Sequence, residues 1–230
     1  MLDSLLVPDL LTSMLCVELH CHTIYSKDSL TAPAALLATC RRKGIDRLVV
    51  TDHNTISGAI LAKETNPERF IVGEEIMTTQ GELLAIFVRE EIPANIHPRE
   101  VIDRLRSQGA FISVAHPFDR WRSGHWEIDE LMQILPLIDA IEIFNARSTL
   151  QRYNLEAEAF ARKLNLLGTV GSDAHTLCEI GKATLHMPKF HDAPSLKAAL
   201  SMAQTHVSRS AAWVHLASRY AVMYKKLFIS

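Results

Sequence analysis

The stretch LCVELHCHTIYSKDSLTAPAALLATCRRKGIDRLVVTDH, residues 15–53, decides the fold. It opens on an apolar run, Leu15 to His22, that ends in polar residues. An amphipathic segment follows from Ala32 to Lys43 and stops at Gly44, and a second apolar run spans Asp46 to Asp52. Strand, helix, strand at this spacing is the unit that builds a parallel sheet. Working outward, the alternation continues with strands predicted over Phe70 to Thr78, Glu82 to Val88, Ala110 to Ala115, Ala140 to Phe144 and Thr169 to Ser172. Helices are expected over Ser57 to Glu64, Pro98 to Gln108, Ile128 to Leu135 and Leu150 to Leu164, with Gly44, Gly109 and Gly168 as stops. Seven strands with interleaved helices predict an α/β barrel or a strongly curved parallel sheet, with an open doubly wound sheet as the second arrangement.

At 230 residues the chain fits one domain. Residues 1–14 read as an extension, 15–207 as the barrel, and 208–230 as a helical tail packed on the barrel or a partner. Lys and Arg number 24 against 26 Asp and Glu, so no global field exists for gripping a polyanion. The opening residues lack a secretion signal, and no apolar run is long enough for a membrane span. The four cysteines, Cys16, Cys21, Cys40 and Cys178, form no CxxC motif, and a cytoplasmic protein is expected. No glycine-rich phosphate loop of the Rossmann or Walker type is present.

The ionisable residues fall where predicted strands end: VELHCH, VVTDH, VGEE, SVAHP, EIFNAR and GSDAH. In β/α folds those ends converge on one mouth, where active sites lie. His20 and His22 stand two apart on a strand and so share a face, with Cys21 opposite, and Asp173 and His175 repeat the spacing. His53, Glu75 and His116 add imidazoles and a carboxylate from three other strand ends, and Asp28 can fold back from a loop. Five of the 11 histidines thus lie at the same end of successive strands. That is a donor set for zinc, manganese or iron. His97, His125, His186, His191, His206 and His215 read as ordinary.

These residues carry a resemblance. HCH with a following Asp, TDHNT, GEEI, AHP and GSDAH, in that order from His20 to His175, resemble the successive motifs of the PHP (polymerase and histidinol phosphatase) superfamily. The resemblance implies a distorted (β/α)7 barrel and a centre of two or three divalent ions, manganese, zinc or iron, that cleaves phosphoesters with metal-activated water. Carried over by position, the ligands would be His20, His22, Asp28, His53, Glu75, His116, Asp173 and His175. Glu75 is preferred to Glu74 because the family's acidic ligand is the second residue after the glycine. Where many members place a further histidine this chain has Glu82, which can also ligate a metal and is taken as a ninth candidate.

Arg122 and Arg147 are candidates for binding phosphate oxygens through a guanidinium fork, whereas Arg120 reads as a surface ion pair. The substrate expected is a small phosphorylated molecule, with a nucleotide or short oligonucleotide end possible. Two other readings stand beside this one: an amidohydrolase-like metal hydrolase, for which no lysine sits at a predicted strand end, and a noncatalytic metal-stabilised module.

Overall fold

Residues 15–53 fold as the strand, helix and strand expected: β1 (Leu15–Glu18), α1 (Pro33–Lys43) and β2 (Arg47–Val50), with β1 and β2 parallel. Proline in the first turn of α1 sacrifices no hydrogen bond there, and the last turn carries Arg41, Arg42 and Lys43, which suit its negative end. Gly44 then adopts φ 67° and returns its N–H to the last carbonyls of the helix. The computed structural model describes residues 14–228, so nearly all of the 1–14 extension lies outside the described residues.

After α2 (Ser57–Thr65), strand β3 (Phe70–Met77) joins β2 in parallel. The next strand departs from the expected parallel order, because β4 (Glu82–Ile86) runs antiparallel to β3 and also to β5 (Phe111–Val114). Residues 78–81 make only a tight turn, in which the Thr78 hydroxyl donates to the Gly81 carbonyl at 2.7 Å. So short a connection cannot cross over to a parallel neighbour. Beyond α3 (Pro98–Gln108) and β5, the parallel pattern resumes through α4 (Ile128–Ile134), β6 (Ala140–Asn145), α5 (Gln151–Lys163) and β7 (Leu167–Gly171). Gly109 ends α3 at φ 74°, but Gly168 lies inside β7, and α5 stops instead at Leu164 before Asn165 at φ 53°.

Three elements follow that were not expected: β8 (Ala183–Met187), α6 (Ala193–Leu200) and β9 (Gln204–Val207). The sheet order is β7-β6-β5-β4-β3-β2-β1-β8-β9. At one end β8 pairs antiparallel with β1. At the other end the segments after β1 and β7 bridge directly, Cys21 with Ala174, with His22 N–H donating to Ala174 O at 2.8 Å and Asp173 N–H to His20 O at 2.9 Å. The sheet is therefore a nearly closed barrel within a single α/β domain, tightest where the histidines lie.

Alternate residues of the strands enter two cores. Leu48, Val50, Phe70, Ile112 and Ile141 pack outward beneath the helices, while Val17, Val49, Ile71, Phe111 and Ala140 fill the inside together with Phe190 and with Leu196 of α6. Burying that floor leaves the opposite end of the barrel to polar groups. Helix α7 (Val214–Phe228) buries Val214, Ser218 and Ala221 against that end. Among the described residues no helix is long and apolar enough to cross a membrane.

Candidate metal centre

Glu75 sits at the centre of the mouth. It faces inward from β3 while Glu74, one residue earlier, faces outward, where it accepts from Ile92 N–H at 3.1 Å. Glu75 Oε1 lies 3.0 Å from His116 Nε2 and 3.3 Å from His20 Nε2, and its Oε2 lies 3.0 Å from His53 Nδ1 and 3.3 Å from His22 Nε2. One buried carboxylate thus meets four imidazoles delivered by β1, β2 and β5. Asp173 Oδ1 approaches His22 Nε2 at 3.1 Å, and Asp28, from the loop after β1, reaches His175 Nε2 at 3.2 Å and His53 Nε2 at 3.6 Å.

All nine residues singled out from the sequence come together here, Glu82 included. Its place at the start of β4 would have put it at the far end of a parallel strand. Because β4 is antiparallel, its start lies at the mouth, with Glu82 3.4 Å from His116 Nε2 and 3.7 Å from His53 Nδ1. Burial, and then the charge of Glu75, raises its carboxyl above the usual range. Burial and the neighbouring His175 and His53 push His22 down to about 3, which keeps its imidazole neutral and its lone pair free.

Three groups of donor atoms fall within 4.8 Å of one another: His20, His22 and Glu75; His53, Glu75 and Glu82; and His22, His53 and His175. They share members, so the positions they define adjoin. Asp28 Oδ1, Glu75 Oε2 and Asp173 Oδ1 are buried and, although imidazole nitrogens stand 3.6, 3.0 and 3.1 Å from them, none is aligned to donate a hydrogen bond. Orphaned carboxylate oxygens are costly unless a cation meets them. With the imidazoles around them, they make a donor set that fits divalent transition metals. His116 and Asp173 also hold positive φ, 22° and 53°, a backbone conformation that costs stability and gathers at functional sites.

A second layer fixes these side chains. Glu142, which sequence reasoning missed, accepts at Oε1 from His20 Nδ1 at 3.0 Å and at Oε2 from His116 N–H and Asn145 Nδ2. The signal available was a charge inside the apolar run AIEIF. Asp52 accepts from Thr23 and from Ser26 Oγ, which itself lies 3.0 Å from His22 Nδ1. Cys21 points away from the cluster and is buried, its thiol directed at Val49 O. Gly171 is required for close approach, because a Cβ there would stand 2.4 Å from Glu142 Oε1 and 2.5 Å from His20 Cβ.

Of the arginines, Arg122 donates to Asp173 Oδ2 at 2.6 Å and lines a cavity of about 480 Å³ above the cluster. Arg147 also lines it but is nearly enclosed, donating to Ser218 of α7 at 2.9 Å and lying 3.5 Å from Glu179. Arg120 pairs with Glu156 on the surface, as expected. Helix α7 walls one side of this cavity through His215, Leu216, Ser218 and Arg219, and its Lys225 holds the carbonyls of Ile24 and Ser26 on the β1 loop. His215, read from the sequence as ordinary, is therefore part of the mouth.

The sequence and the fold of this chain are similar to those of known proteins. Residues 18–89 match the PHP domain, and residues 151–205 match a PHP-associated family. Two uncharacterised proteins of Methanocaldococcus jannaschii are relatives, one 39% identical over 73% of this chain and 68% of its own, the other 34% identical over 56% and 81%. Among solved structures, PsfC from Pseudomonas syringae shares the fold with a TM-score of 0.63 at 17% identity, over 93% of this chain and 98% of its own. A protein from Bifidobacterium adolescentis described as a candidate metal-dependent phosphoesterase does so at 0.60 and 17%, over 80% and 95%. An amidohydrolase from Chromobacterium violaceum with bound sulfate does so at 0.54 and 13%, over 69% and 87%.

Proposed function

Because this chain belongs to the PHP family, we propose that it is a metal-dependent hydrolase that cleaves a small phosphorylated substrate, a phosphomonoester or a nucleotide-type phosphate. The observation that carries the reading is the position of Glu75, whose two oxygens face four imidazoles at 3.0 to 3.3 Å below a cavity lined by Arg122. His20, His22, Glu75 and Asp173 would hold one divalent ion, Glu75, His116 and Glu82 with His53 a second, and His53, His175 and Asp28 a third. Held by these residues, divalent ions such as manganese, zinc or iron would supply Lewis acidity for activating water and neutralising phosphate oxygens.

The remaining work falls to the chain. Glu142 keeps the His20 ring in one orientation, as an outer partner of a ligand does. Arg122 lines the cavity with Nη1 on Asp173, Nη2 at Asn145 and Nε at Asp119, and the second N–H of each terminal nitrogen would be its donor to phosphate oxygens. Arg147 stands behind it, with Nη1 making no hydrogen bond, as a further donor. The nine clustered side chains include no lysine that could be carboxylated, which favours phosphoester over amidohydrolase chemistry. Phosphate release from 4-nitrophenyl phosphate, measured with added manganese and with a chelator, tests the reading. Turnover that chelation abolishes and Glu75→Gln lacks is expected, and no turnover with manganese, zinc or iron would overturn it.

A further inference from the structure

Four permanent cations line the cavity above the cluster, and they divide into two kinds. Arg122 is committed to Asp173, Asp119 and Asn145, and Arg147 to Glu179 and Ser218. Lys27 and Arg219 are both exposed and have no carboxylate or hydrogen-bond partner among the described residues. They come from two elements that meet at the cavity, Lys27 from the β1 loop beside Asp28 and Arg219 from α7, which lies beyond both family-matched stretches. Uncommitted cations beside a cluster built to collect metal ions repel its occupants, an unfavourable arrangement unless an anion joins them. The reacting phosphate is already met by the cluster and Arg122. The cavity, at about 480 Å³, has the volume of sites that take a whole small ligand and not a phosphate group alone.

We propose that Arg219 and Lys27 bind a second anionic group, on the leaving-group side of the substrate, so that the preferred substrates are phosphoesters whose alcohol portion carries a carboxylate or a further phosphate. The inference rests on the phosphoesterase reading, with α7 as the wall that selects among phosphoesters. Helix α7 is fixed for that role at both ends of the mouth, by Ser218 on Arg147 and by Lys225 on the β1 loop.

The test is binding of non-hydrolysable phosphonates to manganese-loaded protein, followed by calorimetry. The probes are benzylphosphonate, its 4-carboxy derivative and its 4-phosphonomethyl derivative, with turnover of phenyl phosphate measured on the same samples. The wild type is expected to bind at least one doubly anionic probe about tenfold or more tightly than benzylphosphonate, as a charge-assisted contact provides. Which derivative gains tells carboxylate from phosphate. Arg219→Gln is expected to remove most of that preference and Lys27→Gln part of it. Absence of a preference in the wild type, or a preference kept in full by Arg219→Gln, would overturn the inference. A preference that behaves as expected without turnover of phenyl phosphate supports the anion site and counts only against the phosphoesterase reading.

Discussion

Glu82 Oε2 lies 3.4 Å from His116 Nε2, where the start of β4 and the end of β5 meet at the mouth from antiparallel strands. A metal-holding role for Glu82 follows from that approach. Glu82→Gln keeps the shape and removes the charge, so metal content or metal preference should change while the circular dichroism spectrum does not. Gly124→Ala should do the same indirectly, because its Cβ would stand 1.9 Å from Glu82 Oε2 and displace the carboxylate. Unchanged occupancy and activity in Glu82→Gln would make Glu82 a bystander.

Glu142 accepts from three donors, His20 Nδ1, His116 N–H and Asn145 Nδ2. Glutamine offers one acceptor where the carboxylate offers two, so Glu142→Gln must turn an amide N–H against one of these donors. Loss of such an outer partner lowers metal affinity by about 10- to 100-fold. Competition with a chromophoric chelator measures it, and wild-type affinity in the variant would remove Glu142 from the supporting layer.

The parallel part of the barrel and the polar mouth were legible in the sequence because both rest on local pattern. Apolar runs two to three turns of helix apart gave β1, β2 and the pairs around β6, and the residues at their ends gave the cluster. Antiparallel β4 was not read, although the few residues between Met77 and Glu82 exclude a crossover. Strands β8 and β9 are short and irregular in pattern, and β9 is wholly exposed, so no periodicity marked them. The cap of α6 was readable, with Asp192 accepting from Ser195 N–H and proline in the first turn. Glu142, Glu179 and the part played by α7 depend on contacts far apart in the chain, which spacing does not encode.

Arg147 is predicted to serve the substrate without holding metal. Arg147→Lys keeps the charge but loses the fork shared with Ser218, so kcat/KM for a phosphomonoester should fall about tenfold or more with metal content intact. Arg120→Lys, which disturbs only the exposed pair with Glu156, should have little effect. Two small and equal effects in steady-state kinetics would remove Arg147 from the site.

The neighbouring carboxylates Glu74 and Glu75 should respond to substitution in opposite ways. Burial, with Glu91 adding to it, pushes Glu74 up to about 8, so its carboxyl is protonated in the folded chain when it would ionise in the unfolded one. Its contribution to stability is full below the unfolded value of 4.5 and is lost as pH rises through about 8. Glu74→Gln should therefore lose less Tm than the wild type between about pH 5.5 and about pH 8.5, with metal content unchanged. Parallel melting curves for the two proteins would contradict this, whereas Glu75→Gln should forfeit the metal.

Elemental analysis of the purified protein tests the central claim most directly. At least two transition-metal ions per chain are expected, and replacing His20 and His22 together by Ala should remove most of them, since both imidazoles converge on Glu75. A wild-type protein that is metal-free without chelators, and that takes up neither manganese nor zinc when they are supplied, would contradict the account.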